Sequence, residues 1–256
     1  MTGFDRALWD EKFSQDEVPA FTCPRCLKGT LTFDGKELTR FEPQYSKDAK
    51  SNEDWDPSWK LERFAMFLRC GAIKCGEVVV VSGETSAEEV RDEDLGWYFE
   101  WLLEPSSMMP APPIISLPEG TPDPVKDEMA LAFQLFWADL GASATKIRTS
   151  VERLMDHFKV AKFKRVKDPK NPSKPGKLRP IPLFTRIEAF IQKNGKVVHK
   201  DHLHALRVVG NLGTHNNGAS RSDVLEAFQI YEHALDELIG KKSSVIAKLA
   251  KKLKGK

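Results

Sequence analysis

Residues 201 to 215 form the stretch of this sequence whose side chains are best suited to chemistry. Apolar residues recur there at helical spacing, and a second stripe of polar side chains recurs at intervals of three and four: His204, Arg207, Asn211 and His215. One helix could therefore sit in a core and present a cation, an amide and an imidazole together. An imidazole exchanges protons near neutral pH and a guanidinium binds phosphate, so the combination suits acid–base chemistry beside a phosphate.

Two glycines in the same stretch leave its local structure open. Gly210 and Gly213 each cost about 1 kcal/mol in a helix interior relative to alanine. Either the helix ends near Asn211 and His215 is a solvated loop residue, or the glycines let another helix or a phosphate approach closely.

All four cysteines of the chain occur in two close pairs. Cys23 and Cys26 are separated by two residues, and Cys70 and Cys75 by four. Two such pairs brought together supply the tetrahedral thiolate shell that zinc favours, and a shell of four protein ligands leaves no open coordination position. The pattern predicts a structural zinc bound by all four cysteines, with incidental or redox-active thiols as the alternative.

Positive charge is concentrated in two segments, although the formal net charge of the 256 residues is only +2. Residues 159–179 contain nine Lys or Arg, and Asp168 is their single acid; residues 241–256 contain seven Lys and no acid. A polyanion would meet these segments first, unless they are simply solvated. The side chains predicted to bind RNA are Lys162, Lys164, Arg165, Lys167, Lys174 and Lys177.

Two further expectations concern the structure of these basic segments. Residues 165–180 are rich in proline and lysine, and this composition predicts a loop without regular structure. The tail from residue 241 has apolar residues among its lysines, which is typical of an amphipathic helix that binds a protein partner or an acidic surface.

The chain contains no apolar run of the roughly 18 to 20 residues that a membrane span needs, and its first residues lack the layout of a signal peptide. The sequence therefore predicts a cytoplasmic protein.

Composition divides the chain into four parts and predicts an α+β fold. Residues 1–104 are expected to hold a short N-terminal helix and a zinc ribbon with a small antiparallel sheet, whose strands lie near residues 31–33, 62–69 and 77–81. Seven prolines between residues 104 and 124 favour a stiff linker over residues 105–122. A helical bundle follows at 123–240, and the basic tail at 241–256.

Helical periodicity predicts five helices in that bundle. Their apolar stripes begin near Val125, Ala144, Leu183, Leu203 and Val224. On the second helix Arg148 and Glu152 form an i,i+4 pair. We expect both residues to support the site, with Glu152 holding Arg207 if the two helices are neighbours.

These features resemble a known bacterial family, the domain of unknown function 4145, over nearly the whole chain. The resemblance rests on the cysteine ribbon, the proline-rich connector and two helical patterns. The first pattern is Ala-x3-Arg-x3-Glu, with Ala144, Arg148 and Glu152, and the second is Leu-Arg-x2-Gly-Asn-x3-His, with Leu206, Arg207, Gly210, Asn211 and His215. That family is placed in the HEPN superfamily of α-helical bundles.

The resemblance implies both a fold and an activity. Many HEPN proteins pair their motif helices across a two-fold dimer and act as metal-independent ribonucleases in phage defence, restriction or toxin systems. Asn211 and His215 match the polar residue and the histidine of the HEPN pattern, while Gly210 stands where that pattern has arginine. Arg207, one helical turn earlier, is the nearest arginine.

The resulting hypothesis is a homodimeric ribonuclease. His215 would be its acid–base group, Arg207 its phosphate clamp, and Asn211 would orient one of them. The alternative is a non-catalytic module of such a system that binds nucleic acid or nucleotide or docks a partner.

Overall fold

An antiparallel sheet of five strands, in the order β1-β5-β4-β3-β2, organises the N-terminal part of the computed structural model. The strands are β1 (Phe13–Ser14), β2 (Leu31–Phe41), β3 (Arg63–Cys70), β4 (Val78–Asp92) and β5 (Gly96–Met109). Burial alternates along β3, where Phe64, Met66, Leu68 and Cys70 are buried. This period of two is the pattern of a sheet with one face in the core.

The structure describes residues 4–92, 96–167, 176–195, 199–212, 218–240 and 251–253. Its backbone divides into two compact units. The sheet unit comprises Met1–Ile114 and Phe133–Ala138, and the helical unit comprises Ile115–Ala132 and Asp139–Lys256. The predicted α+β class is confirmed. The division between Ile114 and Ile115 falls inside the segment that was predicted to be a linker.

The first residues of that predicted linker belong to the sheet. Strand β5 continues to Met109, which pairs with Val80, so residues 105–109 are not a free connector. Pro105 is tolerated because it lies opposite Gly83 at a shift in register, where a ladder hydrogen bond is not required of it. A Cβ atom at Gly83 would overlap the carbonyl oxygen of Glu104.

The predicted N-terminal helix is present only as a short 3-10 segment. Residues Arg6–Trp9 form one 3-10 turn, and the chain then becomes extended so that Phe13 pairs with Leu103 of β5. Trp9 is buried against Phe21, with ring centroids 5.4 Å apart. The apolar side chains are therefore buried by joining the sheet and its core, which a single helical face would not achieve.

The segment between β2 and β3 has two short helical pieces. These are α1 (Gln44–Ala49) and a 3-10 turn at Pro57–Trp59. Of the two tryptophans in this segment, Trp55 is half-buried and Trp59 is 48% exposed.

The helical unit contains helices at the five predicted places. They are α2 (Asp123–Ala138), whose last residues belong to the sheet unit, α3 (Leu140–His157), α4 (Leu183–Asn194), α5 (Lys200–Leu212) and α6 (Arg221–Leu238). Asp139 separates α2 from α3: its carboxylate caps α3 by accepting from the Ala142 amide at 2.8 Å. Gly195 ends α4 in the left-handed region, at φ 61°.

Helix α5 occupies the middle of this unit, in contact with α3, α4 and α6. Its buried residues include Leu203, Leu206 and Gly210. Across the core, the Ser150 hydroxyl of α3 lies 2.8 Å from the Tyr231 hydroxyl of α6. The Ser150 hydroxyl is also 3.5 Å from the Val125 carbonyl, to which it can donate while it accepts from Tyr231, and these bonds offset the cost of burying both hydroxyls.

A small β-hairpin lies between α3 and α4 and corrects the prediction of a structureless loop. Strand β6 (Phe163–Val166) pairs antiparallel with β7 (Lys177–Pro180). Both strands mix apolar and basic residues and are exposed throughout, and Pro180 at the end of β7 costs no interior ladder bond. Residues 168–175 of the predicted loop lie outside the described residues.

Among the described residues, no helix is both long and apolar enough to cross a membrane.

Candidate functional site

The four cysteines meet at one end of the sheet unit. Their sulfur atoms all lie within 4.8 Å of one another. The Cys23–Cys75 and Cys26–Cys70 sulfur distances are both 3.7 Å. A tetrahedral zinc site with bonds of 2.3 Å requires a separation of about 3.8 Å between sulfurs. The two pairs at 3.7 Å match that separation, and all four sulfurs are close enough together to bind one metal ion.

Backbone amides donate to two of these sulfurs with different results: Cys26 gains a lower pKa, whereas at Cys70 the Ala72 amide is outweighed by burial and the neighbouring sulfurs, which raise the pKa to about 12. The Gly29 amide donates to the Cys26 sulfur at 3.3 Å, and the Ala72 amide donates to the Cys70 sulfur at 3.5 Å. Amide donation from Gly29 and Lys28 lowers the pKa of Cys26 to about 6. A Cβ atom at Gly29 would lie 2.5 Å from the Cys70 sulfur, so glycine leaves the space that the second cysteine pair needs.

The predicted motif helix crosses α3 at Gly210. A Cβ atom there would overlap Cβ of Arg148 and lie 3.0 Å from both the Arg148 Cδ and the Ala144 carbonyl oxygen. One of the two open possibilities is met, because Gly210 lets another helix approach closely; residues 213–217, on which the other depends, lie outside the described residues. No larger side chain, arginine included, fits at position 210 while α3 stays in place.

Arg148 and Arg207 approach the motif from different helices. Arg148 forms an ion pair with Glu152 at 3.3 Å, whereas the Arg207 guanidinium lies 5.5 Å from the ring centre of Phe184 on α4. Glu152 therefore orients Arg148 and not, as expected, Arg207. The Nε atoms of both arginines are buried without a hydrogen-bond partner among the described residues.

His204, the first residue of the predicted stripe, is engaged by α4. Its Nε2 lies 2.8 Å from Glu188 Oε1, and Lys200 donates to the same carboxylate at 3.1 Å. These bonds, first that to His204 and then that to Lys200, hold the pKa of Glu188 below its usual range. The His204 ring also lies 4.8 Å from the Phe184 ring.

Of the last two residues of the polar stripe, Asn211 and His215, the structure describes only Asn211. Asn211 is half-buried near the end of α5, one residue after the crossing at Gly210. His215, the predicted acid–base residue, lies outside the described residues. Its role stays a prediction.

The predicted RNA-binding residues separate into distinct environments. Lys164 and Lys177 share one exposed face of the β6–β7 hairpin, and Arg165 lies on the other, where it donates to the Gly176 carbonyl at 3.2 Å. Lys167 is exposed immediately after β6. Lys162 is held by Asp156 at 2.7 Å.

Two parts of the basic sequence lie outside this description. Lys174 is not among the described residues, and of the basic tail only residues 251–253 are described, as helix. The predicted partner-binding role of the tail is accordingly unchanged as a prediction.

A buried arginine at the start of α4 was not singled out from the sequence. Arg186 is 3% exposed and donates to Asp156 at 2.6 Å and to the Val160 carbonyl at 3.2 Å. Burial opposes ionisation of Asp156, but the bonds from Lys162 and Arg186 outweigh it and keep the pKa of that carboxyl below its usual range. Residues 156 and 186 are distant in sequence, so spacing gave no signal for this pair.

Phe184 was also missed, although the sequence did contain a signal for it. The apolar stripe of α4 comprises Leu183, Ile187, Phe190 and Ile191, which leaves Phe184 off that face. It is 50% exposed and contacts both His204 and Arg207. An aromatic residue outside the core stripe of a helix is the pattern that could have identified it.

The fold thus defines an α+β protein in which a four-cysteine sheet unit precedes a helical unit. Residues 131–256 match the family described as Domain of unknown function (DUF4145), which confirms the resemblance for the helical part. We expected the resemblance to cover nearly the whole chain. Residues 11–102 instead match a different family, Domain of unknown function (DUF8608). No curated protein and no solved structure gives a significant match.

Proposed function

We propose that the helical unit binds RNA through phosphate contacts at the α3–α5 crossing and cleaves it without a metal ion. The observation that carries the proposal is the position of Arg148, whose side chain lies directly against Gly210. The motif position that has arginine in the HEPN pattern is thus adjacent to an arginine from the neighbouring helix. Arg207 supplies a second guanidinium one turn earlier on α5.

The proposed reaction uses the 2′-hydroxyl of the RNA as nucleophile. His215 accepts the proton of this hydroxyl, the oxygen attacks the adjacent phosphorus, and the bond to the 5′-oxygen breaks. The leaving oxygen takes a proton from an imidazolium, and the products are a cyclic phosphate and a 5′-hydroxyl. Arg148 and Arg207 stabilise the charge that develops on the phosphate oxygens, and Asn211 orients the histidine or the phosphate.

A two-fold homodimer would complete this site. Two copies of α5 facing each other would place a second His215 across the phosphate, so that one imidazole accepts a proton while the other donates one. Isologous pairing is also the commonest closed arrangement of identical chains. A role in phage defence, restriction or toxicity is proposed on the resemblance.

Non-catalytic binding is the second candidate, and one contact favours it. Arg207 already lies over Phe184, and an arginine and an exposed aromatic ring together suit the binding of a nucleotide base and its phosphate. In that case the motif would act as a sensor or partner-docking surface and Arg148 would only attract the anion.

For the sheet unit we propose a structural zinc bound by Cys23, Cys26, Cys70 and Cys75. The sulfur separations of 3.7 Å and the four-thiolate donor set support zinc. The ion would stabilise the two turns and leave no open position for chemistry. Thiolates of this kind persist under reducing conditions, which agrees with a cytoplasmic location.

Incubation of the purified protein with total RNA in the presence of a chelator tests the cleavage proposal. We expect fragmentation by the native protein, loss of fragmentation with His215→Ala, and a reduction of about 100-fold or more with Arg148→Gln. Lys193→Gln is the matched control, because Lys193 is exposed on α4 and away from the motif. Binding without any fragmentation would favour the second candidate.

A further inference from the structure

We propose that the β6–β7 hairpin is an arm that binds the phosphate backbones of double-stranded nucleic acid. The proposal takes its ligand class from the proposed RNA function and adds to it a preference for duplexes over single strands. It rests on how the hairpin distributes charge, on the absence of an aromatic residue from its cationic face, and on how it is anchored.

The register of the hairpin creates two unlike faces. Lys164 lies opposite Arg179, and Lys177 lies opposite Val166, so three cations share one face. All four residues are exposed. Neither strand contains an acid, so the charge of this three-cation face is complementary to a polyanion.

The other face carries most of the apolar residues of the hairpin, together with Arg165. Phe163 lies opposite Pro180, and Arg165 lies opposite Leu178. Phe163 is 53% exposed and Leu178 is 59% exposed. The only aromatic residue of the two strands is therefore on the opposite side from the cationic face.

This separation is the reason for favouring a duplex. Proteins that bind single strands place aromatic rings beside their cations, because unpaired bases stack on those rings. The cationic face here offers contacts for phosphates and no ring for a base. In a duplex the bases are paired and stacked internally, and the backbones can be bound without unstacking them.

The shape of the hairpin also suits a duplex. A groove of B-form DNA about 12 Å wide admits a two-stranded ribbon, and A-form RNA is contacted largely through its backbone and shape. A ribbon of two strands is about 5 Å wide between its backbones, which leaves room for lysine and arginine side chains to reach both phosphate strands.

The base of the hairpin is fixed to the helical unit, so the arm has a defined position there. The Ile181 amide donates to the Lys162 carbonyl at 2.8 Å, and the Lys162 ammonium is held by Asp156. Asp156 is in turn bound by the buried Arg186. An isolated two-stranded hairpin is only marginally stable in water, so this anchor keeps the ribbon formed before a ligand is present.

The decisive experiment compares binding of labelled duplex RNA, duplex DNA and the corresponding single strands by fluorescence anisotropy. The native protein should bind at least one duplex more tightly than either single strand. Lys164→Gln combined with Arg179→Gln should weaken that binding about tenfold near physiological salt. The slope of log affinity against log salt should become shallower by about 2, because two phosphate contacts are lost.

The matched control is Lys36→Gln combined with Lys193→Gln, which removes the same charge from exposed positions outside the hairpin. If the hairpin and control variants lose equal affinity, or if single strands bind as tightly as duplexes, the proposal is wrong. Binding to anionic lipid vesicles without binding to duplexes would also overturn it. Retention of duplex binding by His215→Ala separates this inference from the cleavage proposal, since either can fail while the other holds.

Discussion

Gly210 on α5 lies so close to Arg148 on α3 that even a methyl group at position 210 would overlap the Arg148 Cβ atom. The contact places an arginine of the Ala-x3-Arg-x3-Glu helix beside the Gly-Asn-x3-His segment. It connects the two patterns that carry the family resemblance, and it explains why glycine stands at this position.

Substitution of Gly210 by alanine should destabilise the helical unit. Alanine is the better helix former by about 1 kcal/mol, but overpacking against a fixed Cβ atom and the Ala144 carbonyl should cost about 1–3 kcal/mol. We expect a net loss of unfolding free energy in urea titrations. Gly35→Ala is the control because a Cβ atom there meets nothing within 4 Å. Equal stability of Gly210→Ala and the native protein would contradict the close crossing.

Removal of one cysteine should unfold the sheet unit selectively. Freshly purified protein should contain one zinc ion per chain by elemental analysis. Cys70→Ser should lose that ion, because metal binding and folding of such a site share one free energy. Loss of β-sheet signal with retention of helical signal in circular dichroism is the expected result. Ser106→Ala, at an exposed hydroxyl of β5, serves as the control. A native protein with well under one zinc per chain would refute the assignment.

The chain should be a dimer in solution. The proposed reaction needs two motif helices that face each other, so light scattering at micromolar concentration should give twice the mass of 28.9 kDa. Val208→Glu adds a charge at an α5 side chain that is 46% exposed and should favour the monomer if α5 forms the interface. A monomeric native protein would weaken the cleavage proposal and leave the zinc and hairpin proposals unaffected.

Acid should weaken the anchor formed by Asp156 and Arg186. The pKa of Asp156 is lowered in the folded protein, so its contribution to stability is present above the unfolded pKa of about 3.9 and is lost as pH falls through the lower folded value. Asp156→Asn removes this contribution and leaves the buried Arg186 without its carboxylate, at a cost of about 1–3 kcal/mol at pH 7.

Urea unfolding at pH 7 and at successively lower pH, down to below the folded pKa of Asp156, measures this effect. The native protein and Asp156→Asn should differ at pH 7 and converge in acid. Asp127→Asn is the control, since Asp127 is an exposed acid of α2. A constant difference between the native protein and Asp156→Asn at all pH values would show that the carboxylate charge is not responsible.

Local pattern was sufficient for much of this protein. The positions of Cys23, Cys26, Cys70 and Cys75 predicted their cluster, because two close pairs can complete one shell whatever the path between them. The apolar stripes predicted the places of α2 to α6, since a helical face that must be buried repeats every three to four residues.

Tertiary structure decided what depends on contacts between distant residues. Pro105 and its neighbours became part of β5 because β4 was available to pair with them, and the basic segments around Lys164 and Arg179 became a hairpin because they pair with each other. Phe13 joined the sheet in place of a helix for the same reason. Periodicity describes one segment at a time, so it cannot reveal contacts between helices. Arg148 fills the space beside Gly210, and Arg186 reaches Asp156, only once the helices have packed.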